Sequence, residues 1–185
     1  MRINVHAGHN PAGKVACGAV GLINESTENR RVKDEVIAQL QALGHTAYDC
    51  TENNGSGQTD VLKKITAKCN AHQVDLDVSI HFNSAANDPS GNGKTTGVEA
   101  YVYSASSAAK PYAEKICQAI ADLGFRNRGV KTSSTLYVLK HTVSPAVLIE
   151  CCFVDDKDDV EMYDYQKMAA AIVHGITSQT VQQSE

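Results

Sequence analysis

Short β-like runs alternate along this chain with stretches whose apolar residues recur every three or four positions. That alternation restricts the fold more than any other feature of the sequence. "RINVHA" at the start reads as a strand. Between Ser26 and Leu43, the residues Val32, Val36, Leu40 and Leu43 recur at helical spacing, and Gly44 is placed to end the helix. "HTAYDC" reads as a second strand. A helix capped by Thr59 should run to about Ala71 and bury Val61, Leu62, Ile65 and Cys69. In "VDLDVSIHFN" the alternation is strict: Val74, Leu76, Val78 and Ile80 face one way, and Asp75, Asp77, Ser79 and His81 the other. "GVEAYVYS" alternates too. A helix from about Ser107 carries Pro111 in its first turns and should bury Ile116, Ile120 and Leu123 before Gly124. "TLYVLK" and "PAVLIECCF" read as two more β-rich runs, "DDKDD" as an acidic loop, and Tyr165 to Thr177 as a final helix. Strands and helices in this order predict a single α/β domain, its sheet covered on both faces and mostly parallel.

Composition narrows the range of functions. The chain has 185 residues, 42% of them hydrophobic, enough for one sizeable core. Its 17 basic and 21 acidic residues are interspersed, and no basic face or run suggests nucleic acid as a partner. No apolar stretch is long enough to span a bilayer, so stable membrane insertion is not expected. "MRINVHAGH" enters a strand with no secretory h-region, which predicts synthesis in the cytoplasm. The six cysteines are scattered without a CxxC pair, as expected of free, buried thiols. The adjacent Cys151 and Cys152 should simply fill space. Residues 84–97, "SAANDPSGNGKTTG", form a polar loop read either as a mobile flap or as an ordinary solvated connection. Residues 179–185, in the tail "SQTVQQSE", look like the start of a linker.

Candidate chemistry lies at the strand ends. His9 follows the first strand, His81 comes near the end of the alternating run, and Glu150 sits in "AVLIE". Glu25 closes "GLINE", just ahead of the first long helix. In a parallel sheet three of these side chains reach one edge, where open α/β folds keep their sites, and the helix start brings the fourth. Two imidazoles and a carboxylate are a ligand set that zinc uses in hydrolytic centres, and a further carboxylate can serve as general base. No HExxH helix is present, so spacing alone leaves this site open.

Four blocks in order carry a resemblance: "VHAGHN", "GLINE" leading into a helix, "DVSIHFNS", and "PAVLIECCFVDDKDD". Together they resemble the zinc-dependent N-acetylmuramoyl-L-alanine amidases, the peptidoglycan-cleaving catalytic domains of phage endolysins and bacterial autolysins. The likeness runs from Arg2 to about Ser178, which sets residues 1–178 as the catalytic domain. It implies a twisted, mostly parallel sheet of about six strands flanked by helices. It also implies one Zn2+ per chain held by His9, Glu25 and His81, with Glu150 as the catalytic carboxylate. The substrate it implies is bacterial peptidoglycan, cut between the lactyl group of N-acetylmuramic acid and L-alanine. The protein is then expected to act at the cell wall as a monomer, released as phage endolysins are, with a wall-binding domain following the tail.

The chain departs from the family pattern at His6, where many relatives have Asp, at Asn10-Pro11, where a Gly pair is common, and at Ser26, where Lys is common. His6 is therefore either a hydrogen-bonding neighbour of the ligands or packed in the core. Asn83, two residues beyond His81, either faces the substrate or caps the loop that follows. His141, expected between two strands near Glu150, is a candidate substrate contact. Two other functions remain open. A zinc carboxypeptidase would need Arg126, Arg128 or Lys140 to hold a terminal carboxylate. A non-catalytic wall-binding module would be expected to show repeated aromatic motifs, and this chain has no Trp and no repeat.

Overall fold

The computed structural model describes residues 1–180. Six strands form one sheet in the order β2-β1-β3-β6-β4-β5. They are β1 (Arg2–Ala7), β2 (Thr46–Asp49), β3 (Leu76–Asn83), β4 (Val98–Val102), β5 (Asn127–Thr132) and β6 (Ala146–Phe153). Every pairing is parallel except that of β4 with β6. The six helices are α1 (Glu25–Ala42), α2 (Gln58–Asn70), α3 (Lys110–Ala121), α4 (Tyr137–His141), α5 (Lys157–Met162) and α6 (Tyr165–Thr177). The expected single α/β domain, with a mostly parallel sheet flanked by helices, is the one observed.

Two apolar clusters bury the two faces of the sheet. On one face α1, α3 and α6 cover Ile3, Val5, Val78, Ile80, Val147 and Ile149. On the other, α2 and α4 close over Leu148 with Val61, Ile65, Cys69, Val138 and Leu139. All eight residues of β6 are buried or nearly so, as expected for a parallel strand covered on both sides. The six cysteines are free, and all but Cys17 are buried. Among the described residues, no helix is long and apolar enough to cross a membrane.

Several local expectations are corrected. "TLYVLK" is not a strand: residues 137–141 form the short helix α4, because Val138 and Leu139 dock onto α2 and the Ser133 hydroxyl receives the Leu136 N–H at 3.3 Å. His141 therefore ends a helix rather than lying between strands. β5 lies in "NRGVKT", a charged edge strand with no apolar alternation and with Gly129 at φ 80°. "DDKDD" is not a loop. Asp156 caps α5 by accepting the N–H groups of Asp158 and Asp159. Thr59 lies inside α2, whose N-cap is Gly57, and Leu123 is 37% exposed. Glu25 is the first residue of α1, and the Asn24 side chain caps that helix.

The loop 84–97 is held down along its length, which disfavours the mobile flap. The Asp155 carboxylate accepts the N–H groups of Ala85, Ala86 and Asn87, and Asp158 accepts those of Asn92, Gly93 and Lys94. Asp159, fully buried, accepts the N–H of Gly97 at 3.0 Å and that of Phe153 at 2.8 Å. The linker expected over 179–185 lies mostly outside the described residues.

Replacing Asp159 with Ala leaves these two buried N–H groups unpaired, each costing about 1–3 kcal/mol. We expect Asp159→Ala to lower Tm by roughly 4–24 °C in thermal denaturation, at about 2–4 °C per kcal/mol for a chain of this size. An unchanged Tm would show that the aspartate does not anchor the loop.

Candidate metal centre

His9, Glu25 and His81 come together on the α2 side of the sheet, at the carboxyl ends of β1 and β3. Their ligand-type atoms all lie within 4.8 Å of one another. Glu25 Oε1 is 3.0 Å from His81 Nδ1 and 3.5 Å from His9 Nε2, and the two imidazoles meet edge to face with centroids 5.0 Å apart.

Each ligand-type residue is fixed by the local backbone. The Gly8 N–H donates to the Ile80 carbonyl and extends the β1–β3 ladder one residue past the strand, after which His9 turns out at φ 63°. Arg30 secures that turn by donating to the His9 carbonyl at 2.8 Å, and Asn29 Nδ2 donates to the Gly8 carbonyl at 3.1 Å. Gln58 Oε1 lies 3.4 Å from His9 Nδ1, an arrangement that leaves Nε2 as the lone-pair donor. The Ala19 N–H donates to Glu25 Oε2 and the Phe82 N–H to Oε1.

Two glycines make room for this cluster. A Cβ on Gly8 would stand 2.0 Å from the His81 ring, and one on Gly18 2.2 Å from Glu25 Oε2. Burial works against the charge on Glu25, but hydrogen bonds from His81 and His9 outweigh it and hold the carboxyl well below its usual range. Burial likewise opposes protonation of His9, yet Glu25 raises its pKa overall.

Glu150 is the register partner of His81 across the β3–β6 ladder. Its Oε2 is buried and has no hydrogen-bond partner among the described residues. Burial first, then the charges of Glu25 and Glu99, push its pKa well above the carboxylate range. The nearby cations do not pair with it. Arg128 Nε and Lys131 Nζ both donate to Glu99 Oε2, at 2.6 and 2.5 Å. A pocket of about 220 Å³ opens here, lined by His9, His81 and Glu150 together with Leu62, Leu136, Tyr137 and Leu148.

The remaining candidates separate. His6 is 1% exposed on β1 with Nδ1 unpaired, and burial, helped by the charge of His81, lowers its pKa to about 3. It is a neutral core residue. Asn83 Nδ2 donates to Glu99 Oε1 at 3.0 Å while its Oδ1 accepts the Ser84 N–H, so it ties Glu99 in place and caps the loop. His141 packs against Tyr137, the rings tilted by 34° with centroids 4.1 Å apart, and Tyr137 rather than His141 lines the pocket. Arg126 lies in a separate cleft with Lys94 and Asp158, and Lys140 in another with Tyr103 and Pro145. Sequence reading missed Glu99, Lys131 and Tyr137. The first two stand in unremarkable strand positions, and Tyr137 was assigned to a strand.

Residues 3–178 match the model of the N-acetylmuramoyl-L-alanine amidase family, Amidase_3. The chain belongs to that family. It is 36% identical over 164 residues to an uncharacterized protein of Clostridium perfringens (strain 13 / Type A), covering 88% of this chain and 47% of that one. It is 35% identical over 178 residues to the N-acetylmuramoyl-L-alanine amidase LytC of Bacillus subtilis (strain 168), covering 93% of this chain and 34% of LytC. Its fold superposes on the catalytic domain of the CD27L endolysin targeting Clostridia Difficile with a TM-score of 0.84 and 26% identity, covering 98% and 99% of the two chains. The chain spans about half the length of the first curated relatives it matches.

The Gly8 contact gives a direct test of the cluster. Gly8→Ala should displace the His81 ring and weaken divalent-ion binding about 10–100-fold, the usual effect of disturbing a ligand's support. Competition against a chromogenic chelator measures it, and wild-type affinity in that variant would remove His81 from the ligand set.

Proposed function

We propose that this chain is a zinc-dependent peptidoglycan amidase that cuts between N-acetylmuramic acid and the L-alanine of the stem peptide. The carrying observation is the unpartnered, buried carboxylate of Glu150 beside a compact two-histidine, one-glutamate group. A buried polar oxygen without a partner is costly to a fold, so its retention points to use.

The donor set fits zinc: two imidazole nitrogens and one carboxylate, converging at one point and open to a pocket. His9, Glu25 and His81 would hold the ion. Zinc in such a setting supplies Lewis acidity, polarising an amide carbonyl and making water acidic enough to ionise near neutral pH. Glu150 accepts a proton from the attacking water and returns it to the amine nitrogen, which leaves poorly unless protonated. Its place beside His81 on the pocket lets one carboxyl group serve both halves of that transfer. Leu62, Leu136 and Leu148 wall the pocket with apolar surface and limit competing water around the carboxylate. Family membership and the likeness to LytC support the bond and the substrate, and the likeness to an endolysin catalytic domain supports action at the cell wall. Of the three cations weighed for a carboxypeptidase, Arg126 and Lys140 line other clefts, and only Arg128, which donates to Glu99 one strand from Glu150, stands near the site.

Three measurements test this reading. Elemental analysis should find one zinc per chain, and His81→Ala should lose metal and activity together. Glu150→Gln should fold and keep zinc while turnover falls about 10²–10⁴-fold. Lysis at the wild-type rate by that variant would end the proton-transfer role. Digested cell walls should release stem peptides with new N-terminal alanine and no new reducing sugar ends, whereas free D-alanine or new reducing ends would overturn the amidase assignment.

A further inference from the structure

On the α2 side of the sheet, one rung crosses four strands. His81 of β3 is paired with Glu150 of β6, and Glu150 with Glu99 of β4. Glu99 falls where the β4–β5 register shifts, between Val98↔Asn127 and Ala100↔Val130, so it stands opposite Arg128 and Gly129. α2 and α4 roof the Leu148 end of this face, while β5 lies beyond them as a half-exposed edge strand. The pocket beside Glu150 therefore adjoins an open shelf of sheet that ends in two cations.

Those cations are oriented yet not neutralised. Arg128 and Lys131 share the single oxygen Glu99 Oε2, which leaves one net positive charge. Arg128 uses only Nε, and its two Nη groups have no acceptor among the described residues. Its guanidinium stacks at 5.0 Å from the Phe153 ring centroid. The other oxygen of Glu99 accepts from Asn83 and Tyr101, so the anchor beneath the cations is fully engaged. Hydrogen bonds from Arg128, Lys131 and Tyr101 outweigh burial and bring Glu99 down to about 2, which keeps it ionised under them. A planar guanidinium with its terminal fork unused suits a carboxylate.

We propose that Arg128 and Lys131 form a subsite for a free carboxylate on the stem-peptide residue that follows the alanine. Two strand spacings, about 10 Å, separate the Glu150 strand from β5. A peptide advances about 3.5 Å per residue, so the second residue beyond the cut, with its own carboxylate arm, covers that span. β5 is the last strand of the sheet and is partly exposed, so the chain can continue past the carboxylate and need not end there. This inference rests on the amidase reading and adds a preference: stem peptides with an acid at that position over those with an amide.

Two synthetic N-acetylmuramoyl dipeptides serve as probes, identical except that the residue after alanine carries either a carboxylate or a carboxamide. The zinc-loaded protein should favour the acid about tenfold in kcat/KM, mainly through KM, the effect of one charge-assisted hydrogen bond. Arg128→Gln and Lys131→Gln should each bring the ratio toward one, and Arg128→Lys should restore part of it. Calorimetric titration of both probes into Glu150→Gln protein should show the same order of affinity without turnover. Equal kcat/KM for the two probes in the wild type, or a ratio unchanged in both glutamine variants, would overturn the subsite and leave the amidase intact. Cleavage of neither probe would overturn the amidase reading, and the calorimetric difference alone would then decide the subsite.

Discussion

The parallel ladder between β3 and β6 determines where every other group of the site can stand. It makes His81 and Glu150 direct neighbours and turns both toward α2. Side chains alternate along a strand, so a slip of one residue would drive Glu150 into the apolar layer under α1, α3 and α6 and turn Ile149 outward. The hydrophobic pattern of "AVLIECCF" therefore enforces the position of the one carboxylate within it. Gly8 and Gly18 then permit close approach, since a methyl group at either would occupy the space of a ligand-type side chain.

Two glutamates side by side on this sheet are kept in opposite electrostatic conditions. Glu99 receives donors from Arg128, Lys131, Tyr101 and Asn83 and stays ionised. Glu150, one strand away, receives none at Oε2 and is pushed toward protonation by burial and by its charged neighbours. By taking both cations, Glu99 prevents a salt bridge that would hold Glu150 permanently ionised. Such separation of paired carboxyl groups by environment underlies many acid–base sites.

Much of this was legible in the sequence, for physical reasons. The strict alternation of residues 74–83 and the helical spacing of Val32, Val36 and Leu40 report burial, and burial was the correct signal. His9, Glu25, His81 and Glu150 were found together because strand ends in a parallel sheet share one edge. The failures occurred where tertiary contacts outweighed local pattern. α4 is a helix because two apolar residues dock on α2, although its composition reads as β. β5 carries charge and a positive-φ glycine because it is an edge strand, so periodicity could not reveal it. The aspartates 155–159 looked like a solvated loop, whereas four of them bind backbone N–H groups that the loop 84–97 would otherwise leave unpaired. The importance of Glu99 lay in cross-strand register, which a linear reading does not contain.

β6 forms late in the chain yet lies in the middle of the sheet, inserted between β3 and β4. Until residues 146–153 have been synthesised, β3 and β4 each present an unpaired apolar edge, and Glu150 does not yet exist beside His81. Assembly of this site thus requires contacts between segments about seventy residues apart, which form slowly because loop closure precedes them. A partly translated chain can contain His9, Glu25 and His81 but not Glu150. The open edges of β3 and β4 leave a partly translated chain prone to aggregation.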